Sequence, residues 1–165
     1  GEFSVVATET PIQLTVGPMT LRLKVDRIDQ LPNGESLIID YKTNAPSING
    51  WSNEQLIEPQ LPLYCPNESS HTSIAYAEIK TNKIQFKGIS ATQSTALPNG
   101  IIPIDKTKSI SSNSWEELLE EWKKQLHQLS SDFFQGKAEA SPLNPQVCNL
   151  CEFQTFCRKH SHDTH

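Results

Sequence analysis

An α/β fold, with a central mixed β-sheet flanked by α-helices, is what this sequence predicts, and three stretches predict it. Val25–Lys42, VDRIDQLPNGESLIIDYK, reads as two strands joined at Pro32-Asn33-Gly34. Thr72–Ile79 and Lys83–Ile89 read as a second hairpin around Thr81-Asn82. Ser114-Trp115-Glu116-Glu117 opens a long amphipathic helix. The 165 residues suit one domain with a sizeable core, and 36% hydrophobic with 20% charged residues is an ordinary globular composition.

Taken in order, Gly1-Glu2-Phe3-Ser4 has the look of a cloning remnant, so the chain reads as a fragment of something longer. Val5–Val16 is expected to form one or two short strands around Pro11. Leu21, Leu23 and Val25 then alternate with Arg22, Lys24 and Asp26, the period-2 pattern of a half-buried strand. Asn33 and Gly34 tolerate the positive φ that tight hairpin turns require. Leu37-Ile38-Ile39 is a short apolar run of the kind found in buried strands. A three-residue loop centred on Asn33 places Asp26 opposite Asp40, and strand alternation puts Asp40 and Lys42 on one face. A two-residue loop would move Asp26 to the other face. Asp29, three residues after Asp26, falls off that face and is read as a partner for Arg27.

Thr43–Asn53 is a loop rich in Asn, Ser, Pro and Gly, with Trp51 expected to anchor it to the core. Pro59 suits the first turn of a helix on which Gln60 and Tyr64, four apart, share a face, while Leu61 and Leu63 turn to packing. The second hairpin follows, one face buried and the other partly so. Ala91–Asn113 is a long connection in which Ile101-Ile102 and Ile104 pair briefly. In the last helix Ser114 and Glu117 form a capping box, each satisfying the other's backbone donor. Trp115, Leu118, Leu119, Trp122, Leu126, Leu129 and Phe133 recur at helical spacing as a core stripe, His127 stays on the surface, and Gly136 is the stop.

The net charge of −5 argues against a free-standing, high-affinity nucleic-acid binder. It is compatible with a metal site, where acids lower the total without repelling a polyanion elsewhere. Lys80, Lys83 and Lys87, then Lys106 and Lys108, form the expected basic rim, with a merely solvated surface an equal reading. No apolar run approaches a membrane span and no signal peptide is present, so a cytoplasmic protein is expected. Two carboxylates converging at the end of a hairpin repel each other unless a cation lies between them. Mg²⁺ or Mn²⁺ suits this pair, since a hard cation binds through one or two carboxylates and keeps several waters. Lys42 beside it can orient or deprotonate a water, or stabilise charge building on a phosphate. On spacing alone, a solvated hairpin with scattered charges is an equal reading.

Asp26 in VDRID, Asp40-Tyr41-Lys42 in IIDYKT and Glu58-Pro59-Gln60-Leu61-Pro62-Leu63-Tyr64, in this order, resemble the PD-(D/E)xK nuclease superfamily and in particular its RecB/AddB-like branch. The resemblance implies a restriction-endonuclease-like core over residues 1–141 and Mg²⁺-dependent hydrolysis of DNA. It implies that Asp26 and Asp40 hold the metal with the backbone carbonyl of Tyr41, and that Lys42 is the catalytic lysine. Gln60 and Tyr64 would face the DNA or support the site, and Glu9 stands where the branch carries a further acid. Lys80, Lys83 and Lys87 would meet the DNA backbone. The implied setting is helicase-coupled DNA repair, with a helicase domain or subunit as partner. The branch also carries a histidine on a helix upstream of the first strand, so the fragment's own activity is expected to depend on a segment before residue 1. The rival reading is a non-catalytic nuclease-like module that binds DNA or scaffolds a partner; the joint presence of Asp26, Asp40, Lys42, Gln60 and Tyr64 weighs against it.

Residues 142–165 hold three of the four cysteines, Cys148, Cys151 and Cys157. Such clustering in an intracellular protein favours metal ligation over disulfides. Their spacing, with the Pro142-Leu143-Asn144-Pro145 lead-in, resembles the end of the iron–sulfur staple of AddB-type nucleases. That implies a [4Fe–4S] cluster in the intact protein, a fourth ligand from upstream, and a segment packed on the nuclease core. Zinc held by the three thiols with His160 or His162 is the alternative. Cys65 is expected to be a packed residue.

Overall fold

The structure, a computed structural model, describes residues 2–52, 56–65, 70–142, 145–149 and 151–157. Six strands form one mixed sheet in sequence order: β1 (Ser4–Val16), β2 (Met19–Gln30), β3 (Ser36–Lys42), β4 (His71–Lys80), β5 (Lys83–Ser90) and β6 (Ile101–Pro103). Neighbours are antiparallel except β3 with β4 and β5 with β6, which are parallel. The helices are α1 (Gln60–Tyr64), α2 (Trp115–Phe134), α3 (Pro145–Asn149) and α4 (Gln154–Cys157).

The β2–β3 connection is the expected three-residue loop. Leu31 N–H donates to the Glu35 carbonyl at 2.8 Å, Gly34 N–H to the Leu31 carbonyl at 2.9 Å, and Gly34 takes φ 85°. The ladder then runs Gln30↔Ser36 to Arg27↔Ile39, so the next register position sets Asp26 against Asp40. Arg27 grips Asp29 through Nε and Nη2 at 2.6 and 2.8 Å, the structural pairing expected of Asp29.

One face of the sheet builds the main core. Ile38, Ile74, Tyr76 and Ile89 pack there with Leu61 and Tyr64 of α1 and with Trp115, Leu118, Trp122 and Leu126 of α2. The opposite face is thinner, with Leu37, Ile39, Ala75 and Ala77 meeting Phe86, Leu97 and Ile101. Leu21, Leu23 and Val25 join the main core, and so does Ile28. The apolar phase of β2 therefore shifts between Val25 and Ile28, and Asp26 lies at the shift. Across the ladder Glu9 takes φ 49°, between the pairs Thr8↔Arg27 and Thr10↔Val25.

Three expectations are corrected. Val5–Val16 is not one or two short strands but part of a single long one, because Pro11 sits in an edge strand, where a missing donor is tolerated. The α2 stripe is core only as far as Leu126: Leu129 and Phe133 are exposed, since the helix overhangs the sheet in its last turns. The Ser114 hydroxyl does accept from Glu117 N–H at 3.1 Å, but the Glu117 carboxylate reaches Asn113 N–H at 2.7 Å rather than that of Ser114.

The loop after β3 holds a short 3-10 helix, Ile48–Trp51, and Trp51 is fully buried. Its indole donates to the Tyr76 hydroxyl at 3.3 Å, and its carbonyl accepts from the Trp122 indole at 2.7 Å. Trp51 thus joins loop, sheet and α2. Among the described residues no helix is long and apolar enough to cross a membrane. Gly1, Asn53, Leu143, Asn144, Leu150, Arg158, Lys159, His160 and His162 lie outside the described residues.

Candidate active site

The site forms where β2, β3 and α1 meet. The apolar run that drives β3 into the core carries Asp40 in with it, and alternation keeps Asp40 and Lys42 on the face of Ile38. Asp40 is 3% exposed. Asp26 reaches across from the phase shift of β2, and its Oδ2 accepts from Tyr41 N–H at 3.0 Å. Burial pushes the Asp40 carboxyl above its ordinary value; Lys42 opposes that rise and the nearby Asp26 carboxylate adds to it.

The short helix α1 closes the site. Gln60 donates from Nε2 to Asp40 Oδ1 at 2.6 Å and accepts from Lys42 Nζ at 2.9 Å on Oε1. Lys42 Nζ is also 2.8 Å from Asp40 Oδ2. One turn on, the Tyr64 hydroxyl donates to the Lys24 carbonyl at 3.1 Å, and burial pushes its pKa up. The two polar residues of α1 therefore hold different strands: Gln60 fastens β3 at Asp40, and Tyr64 fastens β2 two residues before Asp26. Glu9 is solvent-exposed and forms an ion pair with Lys24, which raises the Lys24 pKa.

The donor set fits a hard divalent cation. Two carboxylates lie side by side, and Asp40 Oδ2 is buried with no directed hydrogen bond, its close companion being the Lys42 ammonium. Among the described residues no group of three or more His, Cys, Asp or Glu is gathered for a metal, so water would complete the coordination of a cation held by this pair.

The expected basic rim is divided. Lys80 and Lys87 both engage Glu78, at 3.0 and 3.3 Å, whereas Lys83 and Lys108 are exposed and Lys106 contacts Gln93. Glu78 itself was not singled out by the sequence, although it lies beside Lys42 in the β3–β4 register, on the face of Asp40. An acid following the apolar run Ile74-Ala75-Tyr76-Ala77 was the available signal. Cys65 is buried and its thiol pKa pushed up by that burial, as a packed residue. Cys148 is half-buried, Cys151 and Cys157 are exposed, and the three thiols are not brought together as one ligand group among the described residues. They do not fit an iron–sulfur cluster in this arrangement.

A profile of the PD-(D/E)XK nuclease superfamily matches residues 1–158. Among curated proteins no relative matches the chain. The solved structure of SSO0001 is similar at 19% sequence identity and a TM-score of 0.41, over 92% of this chain and 59% of that one. The chain thus spans about three fifths of that structure's length.

Proposed function

Because the chain belongs to the PD-(D/E)XK nuclease superfamily, we propose that it is a metal-dependent deoxyribonuclease domain whose site is Asp26, Asp40, Lys42, Gln60 and Tyr64. The observation that carries this reading is the chain of contacts Asp40–Gln60–Lys42 on the sheet face that Asp26 also reaches. Asp26 and Asp40, with the Tyr41 carbonyl, would hold Mg²⁺ or Mn²⁺, and Glu9 is a further candidate acid. When bound, such an ion lowers the pKa of a water and polarises the phosphate. Gln60 keeps the Lys42 ammonium beside Asp40, where it can donate to the oxygen on which charge develops or orient the attacking water. Tyr64 keeps Asp26 in range by pinning β2. Gln60, Tyr64, Lys80, Lys83 and Lys87 are the groups assigned to the DNA.

The motif set supports the RecB/AddB-like branch and, through it, a cytoplasmic repair role beside a helicase. A [4Fe–4S] cluster on Cys148, Cys151 and Cys157 with a further ligand in the intact protein rests on the cysteine spacing alone and would require the thiols to be drawn together from the placement described above. An absorbance band near roughly 400 nm in anaerobically prepared longer protein tests this; stoichiometric zinc in a colourless protein would refute it.

Calorimetric titration of Mn²⁺ tests the metal site, with binding expected in the wild type and lost in Asp40→Ala. Lys42→Ala should keep the fold and lower cleavage about 100-fold or more. Undiminished cleavage in that variant would remove Lys42 from the chemistry.

A further inference from the structure

Where β3 ends at Lys42, the chain enters Thr43-Asn44-Ala45-Pro46, a segment outside the strand ladders. Its backbone is nevertheless fixed at one point. Ala45 N–H donates to Glu78 Oε1 at 3.0 Å, and the Ala45 carbonyl accepts from Lys87 Nζ at 3.2 Å. Glu78 and Lys87 also pair with each other at 3.3 Å. Both peptide groups of a buried residue three positions past Lys42 are thus held by one ion pair.

Glu78 is 1% exposed, and it is surrounded by donors. Lys80 lies 3.0 Å from Oε1, and Gln85 donates to Oε2. The strand register explains the convergence. Lys42, Glu78 and Gln85 are successive cross-strand neighbours, as are Asp40, Tyr76 and Lys87, all on the active-site face. A buried carboxylate costs desolvation that an apolar residue of similar volume would not, so such a group is weak evidence for stability alone. What it provides here is a fixed geometry for the strand end that carries Lys42.

We propose that Glu78, assisted by Lys87, is a positioning residue: by holding Ala45 it fixes the backbone leaving Lys42 and so sets where the lysine ammonium stands relative to Asp40 and Gln60. The inference rests on the nuclease reading for its consequence, since a displacement of about 1 Å in a reacting group costs roughly 100-fold in rate. It rests on geometry alone for its cause.

Two substitutions separate reach from charge. Glu78→Gln keeps an acceptor at the distance of Ala45 N–H and gives up the charge; Glu78→Asp keeps the charge and withdraws it by one methylene. Glu78→Asp should lose the slow amide exchange of Ala45 seen by NMR, shift the Lys42 side-chain ammonium signal, and lower kcat about 10- to 100-fold, with KM and Mn²⁺ affinity within about 3-fold. Glu78→Gln should retain more of both the Ala45 protection and kcat. Unchanged Ala45 exchange in Glu78→Asp would overturn the proposal, as would lost protection with wild-type kcat, or Glu78→Gln being the more impaired. Should Glu78→Asp fail to fold, Lys87→Met removes the donor to the Ala45 carbonyl together with the ion pair to Glu78, and is expected to weaken the Ala45 protection and shift the Lys42 signal by less; wild-type values of both would overturn it. If a longer protein that carries the segment before residue 1 also cleaves no DNA, the nuclease reading fails, and the exchange and Lys42 signals still decide whether Glu78 positions the lysine.

Discussion

Asp40 is held at the site against its own electrostatics. Its folded pKa is raised by burial and by Asp26, more than Lys42 lowers it. A raised carboxyl favours the protonated native state, so Asp40 costs no stability below the ordinary carboxylate range, loses stability as pH rises from that range to its folded value, and carries the full loss above it. Asp40→Asn should therefore raise the thermal midpoint at neutral pH in the presence of chelator and abolish Mn²⁺ binding, with the stability gain vanishing in acid. A lower midpoint at neutral pH would show that the Lys42 pairing outweighs burial. That Asp40 shares a face with Lys42, and Gln60 with Tyr64, was legible in sequence because strand alternation and i,i+4 helical spacing are local rules; their selection as a candidate site came from the resemblance. Glu78 was not legible as a neighbour of Lys42. Its place depends on a parallel register, Lys42↔Glu78, set by a crossover and not by a turn.

The helix α2 shows where element-scale reading stops. Its capping serine and its apolar spacing were correct, yet spacing reports a face and not the length of the surface it meets. That surface ends where Ser130 Oγ donates to the Val16 carbonyl at 2.5 Å, close to the β1–β2 turn. Beyond it Phe133 and Phe134 stand in solvent. Leu118→Ala should then cost about 2–5 kcal/mol. Leu129→Ala, from the same stripe, should fall within roughly 0.5–1 kcal/mol of wild type. Chemical denaturation of the two variants checks this, and equal losses would mean that the end of the helix is covered in solution.

Across the whole molecule, the sheet, α2 and the loop behind the site meet at Trp51. Its carbonyl and indole are bonded to different layers, so the segment between Lys42 and Gln60 is tied to the global core. Trp51→Ala should cost about 3–5 kcal/mol and lower cleavage even where the protein stays folded, because Gln60 loses its fixed approach to Lys42; a variant with full activity per folded molecule would uncouple the two. The six-strand order was only partly legible, since hairpins announce themselves through Pro32-Asn33-Gly34 and Thr81-Asn82 while parallel neighbours have no turn to mark them. The long outer strand β1 has a consequence of its own. A 13-residue open edge with exposed Val5 and Val6 is a template for a second chain to pair with. Three features of that strand interrupt the template: the register shift between Val5 and Ala7, the left-handed backbone at Glu9, and Pro11, which has no N–H to offer. The irregular backbone across from Asp26 is thus also a guard against aggregation, and straightening it would trade solubility for a cleaner ladder.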